Sequence, residues 1–187
     1  MKTLFILFGG ILIFCMFLSG CGKNGPLYYK KNAFFQKINV NKYSLYYNDQ
    51  RLNVDYNDLL VSLSRVSANS GIIAPAVDSQ LKTITSRMFE TFKGTGDTDV
   101  IIEICIVEGY AEFVARSMLE TEKVLCRLKI NVMEKETSNL IKSSTGECWG
   151  QRKSLDASET MLQAMFYKSF EMALADALNK LQVESNI

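Results

Sequence analysis

VLCRLKINV, residues 124–132, alternates apolar and polar side chains, with Leu125 as the exception. Successive side chains of a β-strand point to opposite faces of a sheet, so this stretch predicts a strand with one buried and one solvent-exposed face. We expect the strand to cover residues 121–133. The buried face would consist of Val124, Cys126, Leu128, Ile130 and Val132. A strand of this kind is typical of an antiparallel sheet that is covered on one side only.

Two further strands are predicted beside this one. Residues 99–108 alternate in the same way, and residues 140–149 follow a polar turn at residues 134–139. Short connections join antiparallel neighbours, so the three strands predict an antiparallel meander. Before them, residues 43–56 alternate more loosely and predict a hairpin or an edge strand, while residues 58–66 predict a short helix that precedes a loop.

Two amphipathic helices are predicted to cover the apolar face of this sheet. Residues 78–92 place apolar side chains at helical spacing, and Asp78 can accept the free N–H groups of the first turn. The last helix is capped by Asp156 or Ser158 and extends to about Leu181. Its apolar face consists of Leu162, Phe166, Phe170, Ala173, Leu174, Ala177 and Leu181. The predicted fold class is therefore α+β, an antiparallel meander sheet with two helices packed on one face.

The N-terminus carries a different signal. Lys2 precedes an uninterrupted apolar stretch at residues 4–18, and small residues then lead to Cys21. This arrangement resembles the lipobox of bacterial lipoproteins, which implies removal of residues 1–20 and attachment of diacylglycerol to the sulfur of Cys21. An ordinary secretory signal and an uncleaved membrane anchor are the alternatives, although the apolar stretch is shorter than the roughly 20 residues that span a bilayer.

The mature chain is predicted to consist of a lipidated tether at residues 21–42 and a single periplasmic domain at residues 43–187. The tether is purely basic, because five lysines precede the first acidic residue, Asp49. Such a segment either gains attraction to an anionic bilayer or serves as a solvated linker. In either case we expect residues 22–42 to lie outside the core.

The first mature residues suggest a location and a first possible role. CGKNGPLY, residues 21–28, resembles the start of a small lipoprotein family that associates with the lipopolysaccharide translocon of the outer membrane. In enterobacterial lipoproteins a residue other than aspartate after the lipidated cysteine implies export to the outer membrane, and Gly22 fits that pattern. The resemblance implies an outer-membrane protein, with a part in lipopolysaccharide transport as one candidate role.

A second resemblance concerns the domain itself. Residues 128–137, LKINVMEKET, form an alternating strand that ends in a charged turn. This pattern resembles the core of the penicillin-binding-protein activator lipoproteins and the N-terminal part of the curli secretion lipoprotein. The resemblance extends over residues 78–181 and implies an accessory role in envelope assembly or secretion.

Composition excludes several classes of function. The chain has no histidine, which removes Ser-His-Asp and Cys-His catalysis as well as histidine metal sites. Its formal net charge is +1, and Lys2 is the only charge in residues 1–20, so the mature chain is neutral. A neutral domain argues against nucleic acid as the main partner. No phosphate-binding loop, metal-ligand cluster or catalytic motif is present, and we predict no cofactor and no metal.

Two sets of residues are candidates for contact with a protein partner. Trp149 and Arg152 follow the third predicted strand, and tryptophan and arginine are favoured contact residues in interfaces. The alternative is that Trp149 closes the core at the strand end while Arg152 is solvated. Tyr110, Phe113 and Met118 lie between the first two predicted strands, in a projecting hairpin or in a loop folded over an edge. A projecting apolar loop would contact a partner, and ordinary packing of these side chains within the domain is the alternative.

Three cysteines remain in the predicted domain. Cys126 and Cys148 lie on neighbouring strands and are equidistant from Thr137, so a hairpin centred there places them opposite each other. They either form a disulfide or remain free buried thiols, and Cys105 has no predicted partner.

These observations predict an outer-membrane lipoprotein that acts without catalysis as an accessory or scaffold in envelope assembly or secretion. It would be held to the membrane by the lipid on Cys21 and would bind an envelope protein. A component of lipopolysaccharide transport is one alternative. The other is an envelope hydrolase with an unrecognised carboxylate site.

Overall fold

The structure is a computed structural model, and it describes residues 40, 42–53, 70–92, 99–116, 119–154 and 158–183. The predictions for the signal peptide, for Cys21, for a helix at residues 58–66 and for Met118 lie outside these residues. The expectation that residues 22–42 lie outside the core is wrong at Val40, which is buried in the core cluster.

The described part of the chain contains five strands, two α-helices and one turn of 3-10 helix. In chain order they are β1 (Tyr43–Asp49), the 3-10 helix (Gln50–Asn53), β2 (Ser70–Ile73), α1 (Ser79–Phe92), β3 (Val100–Arg116), β4 (Leu119–Glu134), β5 (Leu140–Ser154) and α2 (Glu159–Val183). This is an α+β domain, as the sequence predicts.

The five strands form one sheet, and its topology corrects the prediction of a purely antiparallel meander. β3, β4 and β5 are antiparallel neighbours in sequence order, as predicted. β1, however, pairs parallel to the first half of β3, and β2 pairs antiparallel to its second half, so the sheet is mixed. Parallel pairing requires a long crossover connection, and the segment that contains α1 provides it. β1 is the edge strand that the sequence suggests.

Two strands are longer than predicted, and both corrections have a local cause. In β3 the register shifts between Ile106 and Glu108, so Val107 forms a β-bulge. The bulge reverses the alternation: Gly109 and Ala111 continue the buried face begun by the isoleucines, although the pattern read from sequence ends at residue 108. β5 continues past residue 149 to Ser154. Residues 150–154 contain no alternating apolar side chains, so the sequence pattern does not predict this part of the strand.

α2 covers β4 and β5, and the core of the domain lies between this helix and the sheet. All seven residues of its predicted apolar face are buried, and they belong to the same core cluster as the predicted apolar face of β4. The closest approach is at Gly146, where an added Cβ would lie 1.9 Å from the carbonyl oxygen of Ala173. The small side chains of Ala173 and Ala177 permit this contact. Ser158, one of the two predicted caps, caps this helix, since its Oγ accepts from the N–H of Met161 at 3.3 Å. The other candidate, Asp156, lies outside the described residues.

α1 packs against β1 and α2. Asp78 caps it as predicted, accepting a hydrogen bond from the N–H of Leu81 at 2.9 Å. Its other carboxylate oxygen accepts from the hydroxyl of Tyr167 on α2. Tyr43 on β1 donates to Glu90 at 2.6 Å, so α1 is linked to both neighbours.

Arg51, in the 3-10 helix after β1, connects three parts of the fold. Only 4% of its surface is exposed, and its guanidinium forms an ion pair with Asp49 at 2.7 Å. It also donates to the carbonyl oxygens of Gly109 and Pro75 and lies 5.4 Å from the ring centre of Phe166. This arginine fixes the end of β1 to the strand segment just after the bulge. The sequence gives no sign of this role, because nothing local distinguishes Arg51 from a solvated arginine.

Candidate functional site

One face of the sheet packs against the helices, and we call the opposite one the open face. It carries Tyr46 of β1, Glu103 of β3, Asn131 of β4 and Trp149 of β5, which alternate with the buried residues of their strands. Neither α1 nor α2 packs on it. Tyr46 and Trp149 are 58% and 57% exposed, which is unusual for large aromatic side chains.

An apolar row crosses the open face. Tyr110 on β3 pairs with Leu125 on β4, and Leu125 pairs with Trp149 on β5. Side chains at paired positions on one face are within contact distance, so the three form a continuous strip, which we call the aromatic row. A shallow depression of about 230 Å³ lies along it.

Charged residues border the aromatic row on both sides. On one side Arg127 forms ion pairs with Glu108 at 3.0 Å and with Glu147 at 2.9 Å. On the other side Lys123 lies 3.3 Å from the largely buried carboxylate of Glu112. A small apolar centre within a polar rim is the usual composition of a protein-binding surface.

Further along the open face, hydrogen bonds link four strands. Asn48 and Asn131 donate to the two carboxylate oxygens of Glu103, at 3.0 and 2.7 Å, and Ser143 donates to Asn131 at 2.9 Å. The hydrogen bonds from Asn131 and Asn48 lower the pKa of Glu103. This carboxylate is therefore ionised and fully engaged, which is a structural role rather than that of a catalytic acid.

The structure brings together only two of the four predicted partner-binding residues. Tyr110 and Trp149 share the aromatic row, whereas Phe113 and Arg152 lie on the helix side of the sheet. Phe113 packs against the core, and its ring occupies the space that a side chain at position 71 would need. Tyr110 and Phe113 do not lie in a projecting loop, because both are within β3.

Arg152 is not solvated, contrary to one of the alternatives. Its Nε lies 2.5 Å from the carboxylate of Glu122, which has no exposed surface. The same alternative placed Trp149 in the core, and that is also wrong, because its side chain is on the open face.

Sequence reasoning missed Leu125 and Arg127 as members of this surface. Leu125 could have been found, because a hairpin centred on Thr137 places it opposite Trp149 by the same symmetry that places Cys126 opposite Cys148. Tyr110 could not have been aligned with them, since its register depends on the bulge at Val107.

The three cysteines of the domain are buried free thiols. Cys126 and Cys148 are paired residues of β4 and β5, as the hairpin symmetry predicts, and the disulfide alternative is not formed in this structure. Burial raises the pKa of all three thiols, to about 11 for Cys105. Thiols of this kind are poor nucleophiles at neutral pH.

Within the residues described, no three histidine, cysteine, aspartate or glutamate side chains are grouped so as to hold a metal ion. The same residues include no helix that is both long and apolar enough to cross a membrane.

Comparisons with known proteins identify a fold. No protein-family model and no curated protein matches the chain. It is similar to the crystal structure of a protein from Xanthomonas campestris assigned to the family model DUF330, with a TM-score of 0.50 and 11% identity over 86% of this chain and 96% of that one. It is also similar to a minor lipoprotein from Acinetobacter baumannii, with a TM-score of 0.41 and 11% identity over 79% and 96% of the two chains. The first likeness shows a shared fold only, and the second is too distant to support a conclusion.

Proposed function

We propose that this protein is a lipoprotein of the outer membrane that is anchored through Cys21 and binds another envelope protein through its periplasmic domain, without catalysing a reaction. The observation that carries the binding role is the aromatic row. Trp149 is more than half exposed beside Tyr110 and Leu125, on a sheet face that neither helix covers. A tryptophan in that position costs solubility and contributes nothing to the core, which favours a contact role.

The carboxylates of the open face support binding over hydrolysis. Glu103 accepts two amide hydrogen bonds, and Glu108 and Glu112 each form an ion pair with a basic residue of β4. A catalytic acid and base need carboxyls with different environments that face a common substrate. Here each carboxyl already has a partner within the sheet, so the surface is better suited to recognition.

Replacement of Trp149 tests the binding role. We expect W149A to lower the recovery of the partner from crosslinked cell envelopes at least tenfold, because an exposed tryptophan at the centre of an interface contributes about 2 kcal/mol or more. Its free energy of unfolding should change by less than about 0.5 kcal/mol, since the side chain packs on no core residue.

Tyr46 provides the matched control, because it is equally exposed on the same face but lies on β1, away from the aromatic row. Y46A should leave partner recovery unchanged. Equal loss in both variants, or unfolding of W149A, would contradict the proposal.

The anchor is tested separately at the N-terminus. Mass spectrometry of the mature protein should find Cys21 as the first residue with diacylglycerol on its sulfur, and C21S should release the domain from the membrane fraction. Two or more acyl chains hold a protein firmly to a bilayer, and their loss removes that attachment. An unmodified mature N-terminus at another residue would contradict this part of the proposal.

A further inference from the structure

β5 is an edge strand in the described part of the sheet, since it pairs with β4 on one side only. In an antiparallel pair, alternate residues direct both their N–H and their C=O away from the partner strand. Two hydrogen bonds between β5 and α2 show which residues of β5 these are. The N–H of Glu147 donates to Asp176 at 3.2 Å, and the C=O of Thr145 accepts from Lys180 at 3.0 Å.

This protection of the edge ends at Glu147. Trp149, Gln151 and Lys153 have the same alternation as Thr145 and Glu147, and no register shift interrupts β5 between them. Ser169 of α2 donates to the C=O of Cys148 at 3.0 Å, but no residue in the described ranges hydrogen-bonds the outward backbone groups of Trp149, Gln151 and Lys153. Unpaired N–H and C=O groups along a strand edge are a ready template for another strand.

The unprotected edge lies next to the aromatic row. A strand added along residues 149–153 would place alternate side chains on the open face, beside Trp149, Gln151 and Lys153. Lys153 is exposed and forms no ion pair with any residue that the structure describes. An acidic side chain opposite Lys153 and an apolar one opposite Trp149 would therefore complement this edge.

We propose that an extended segment of the partner protein adds to the sheet as an antiparallel strand along residues 149–153, with an acidic residue opposite Lys153 and an apolar residue opposite Trp149. This inference rests on the proposed binding function and specifies how the partner is held. A second copy of β5 fits less well, because its unprotected residues 149–153 contain no acidic residue to face Lys153. The nearest acidic residue, Glu147, already forms an ion pair with Arg127, and its N–H is bonded to Asp176.

A synthetic peptide tests the pairing directly. The probe is a nine-residue peptide in which glutamate, threonine and phenylalanine occupy the third, fifth and seventh positions, with small polar residues elsewhere. Its binding should slow hydrogen exchange at the amides of Trp149, Gln151 and Lys153. The same peptide with N-methylated amides on its pairing edge should bind at least about tenfold more weakly, since each lost backbone hydrogen bond weakens binding.

Charge reversal tests the predicted chemistry. K153E should weaken binding of the glutamate peptide several-fold, and a peptide with lysine in place of that glutamate should bind K153E better than the original protein. Equal binding of the N-methylated peptide, or absence of protection at the three amides, would overturn the proposal.

Two substitutions at Gln151 separate this proposal from the binding function on which it rests. Q151P removes the outward N–H without affecting a bond to β4, whereas Q151A keeps it. Q151P should abolish partner recovery from crosslinked envelopes, and Q151A should retain it.

If W149A lowers recovery and folded Q151P does not, the partner binds the aromatic row but adds no strand. If the unmodified protein sediments as a dimer that Q151P dissociates, a second copy occupies the edge and the proposal is wrong. Should Q151P fail to fold, the comparison with the N-methylated peptide still decides.

Discussion

Glu122 is a carboxylate at the end of the β3–β4 hairpin with no exposed surface, and Arg152 on β5 is its ion-pair partner at 2.5 Å. Removal of one member of a buried pair leaves the other charge desolvated and uncompensated, which is far more costly than loss of an exposed pair. We therefore expect R152A to lower the free energy of unfolding by about 3 kcal/mol, measured by urea denaturation.

The neighbouring residue supplies the control for this prediction. Lys153 is exposed on the other face of the same strand, so K153A should change the free energy of unfolding by less than about 0.5 kcal/mol. Combining R152A with E122Q should recover part of the lost stability, because the buried charge is then gone. Similar values for R152A and K153A would show that Arg152 is only a surface residue.

The contact between α2 and β5 is decided by a single position, Gly146. An added Cβ there would lie 1.9 Å from a backbone oxygen of Ala173 and 2.6 Å from the nitrogen of Ala177, and neither can move without shifting the helix. We expect G146A to lower the free energy of unfolding by about 3 kcal/mol, which corresponds to roughly 9 °C in Tm for a domain of this size.

Thr145 is the matched position, because it is adjacent on β5 but exposed on the open face. T145A should change Tm by no more than about 2 °C by thermal unfolding, since only an exposed side chain is removed. If G146A were equally well tolerated, α2 would not lie against the sheet as closely as the structure has it.

At the level of elements, strand pairs that are close in sequence could be predicted, and strand pairs that are far apart in sequence could not. β4, β5 and the turn between them follow from alternation and from the symmetry about Thr137, because their contacts are close in sequence. The parallel pairing of β1 with β3 joins residues more than fifty positions apart, and no pattern in residues 43–49 records it. The second half of β3 was hidden by the bulge at Val107, which reverses which residues are buried.

At the level of the candidate site, single residues were predictable and their grouping was not. Trp149 and Tyr110 stood out as aromatic residues in polar surroundings, and the structure places both on the open face. Arg152 and Phe113 lie near these two residues in sequence, but strand alternation and the bulge direct their side chains to the helix side.

At the scale of the whole molecule, three carboxyls in different places make stability depend on pH in the same direction. Burial alone would raise the pKa of Asp49 and of Asp78. The ion pair with Arg51 outweighs it for Asp49, and hydrogen bonds from Tyr167 and backbone N–H groups outweigh it for Asp78, so both pKa values are lowered. Hydrogen bonds from Asn131 and Asn48 lower that of Glu103.

A carboxyl whose pKa is lower in the folded than in the unfolded protein stabilises the fold above the unfolded value, about 4, and loses this contribution as pH falls through the folded value. The free energy of unfolding should therefore be constant from about pH 7 to 5 and should decrease below about pH 4, measured by urea denaturation. D78N should make this decrease shallower, because one of the three groups no longer titrates. Stability that increases toward low pH would contradict these assignments.

β1 is where the N-terminal segment of the chain enters the sheet, so any pull transmitted from that side reaches the domain first through this seven-residue strand. β1 pairs with β3 along its whole length. A force along the axis of β1 would therefore act in shear on the backbone hydrogen bonds between the two strands, and many of these bonds would have to break at the same time. Arg51, just after the C-terminal end of the strand, donates hydrogen bonds to the carbonyl oxygens of Gly109 and Pro75, and these bonds would resist the same force. If the domain is anchored and bound as proposed, the pairing of β1 with β3 would resist unfolding by a pull between the anchor and the partner.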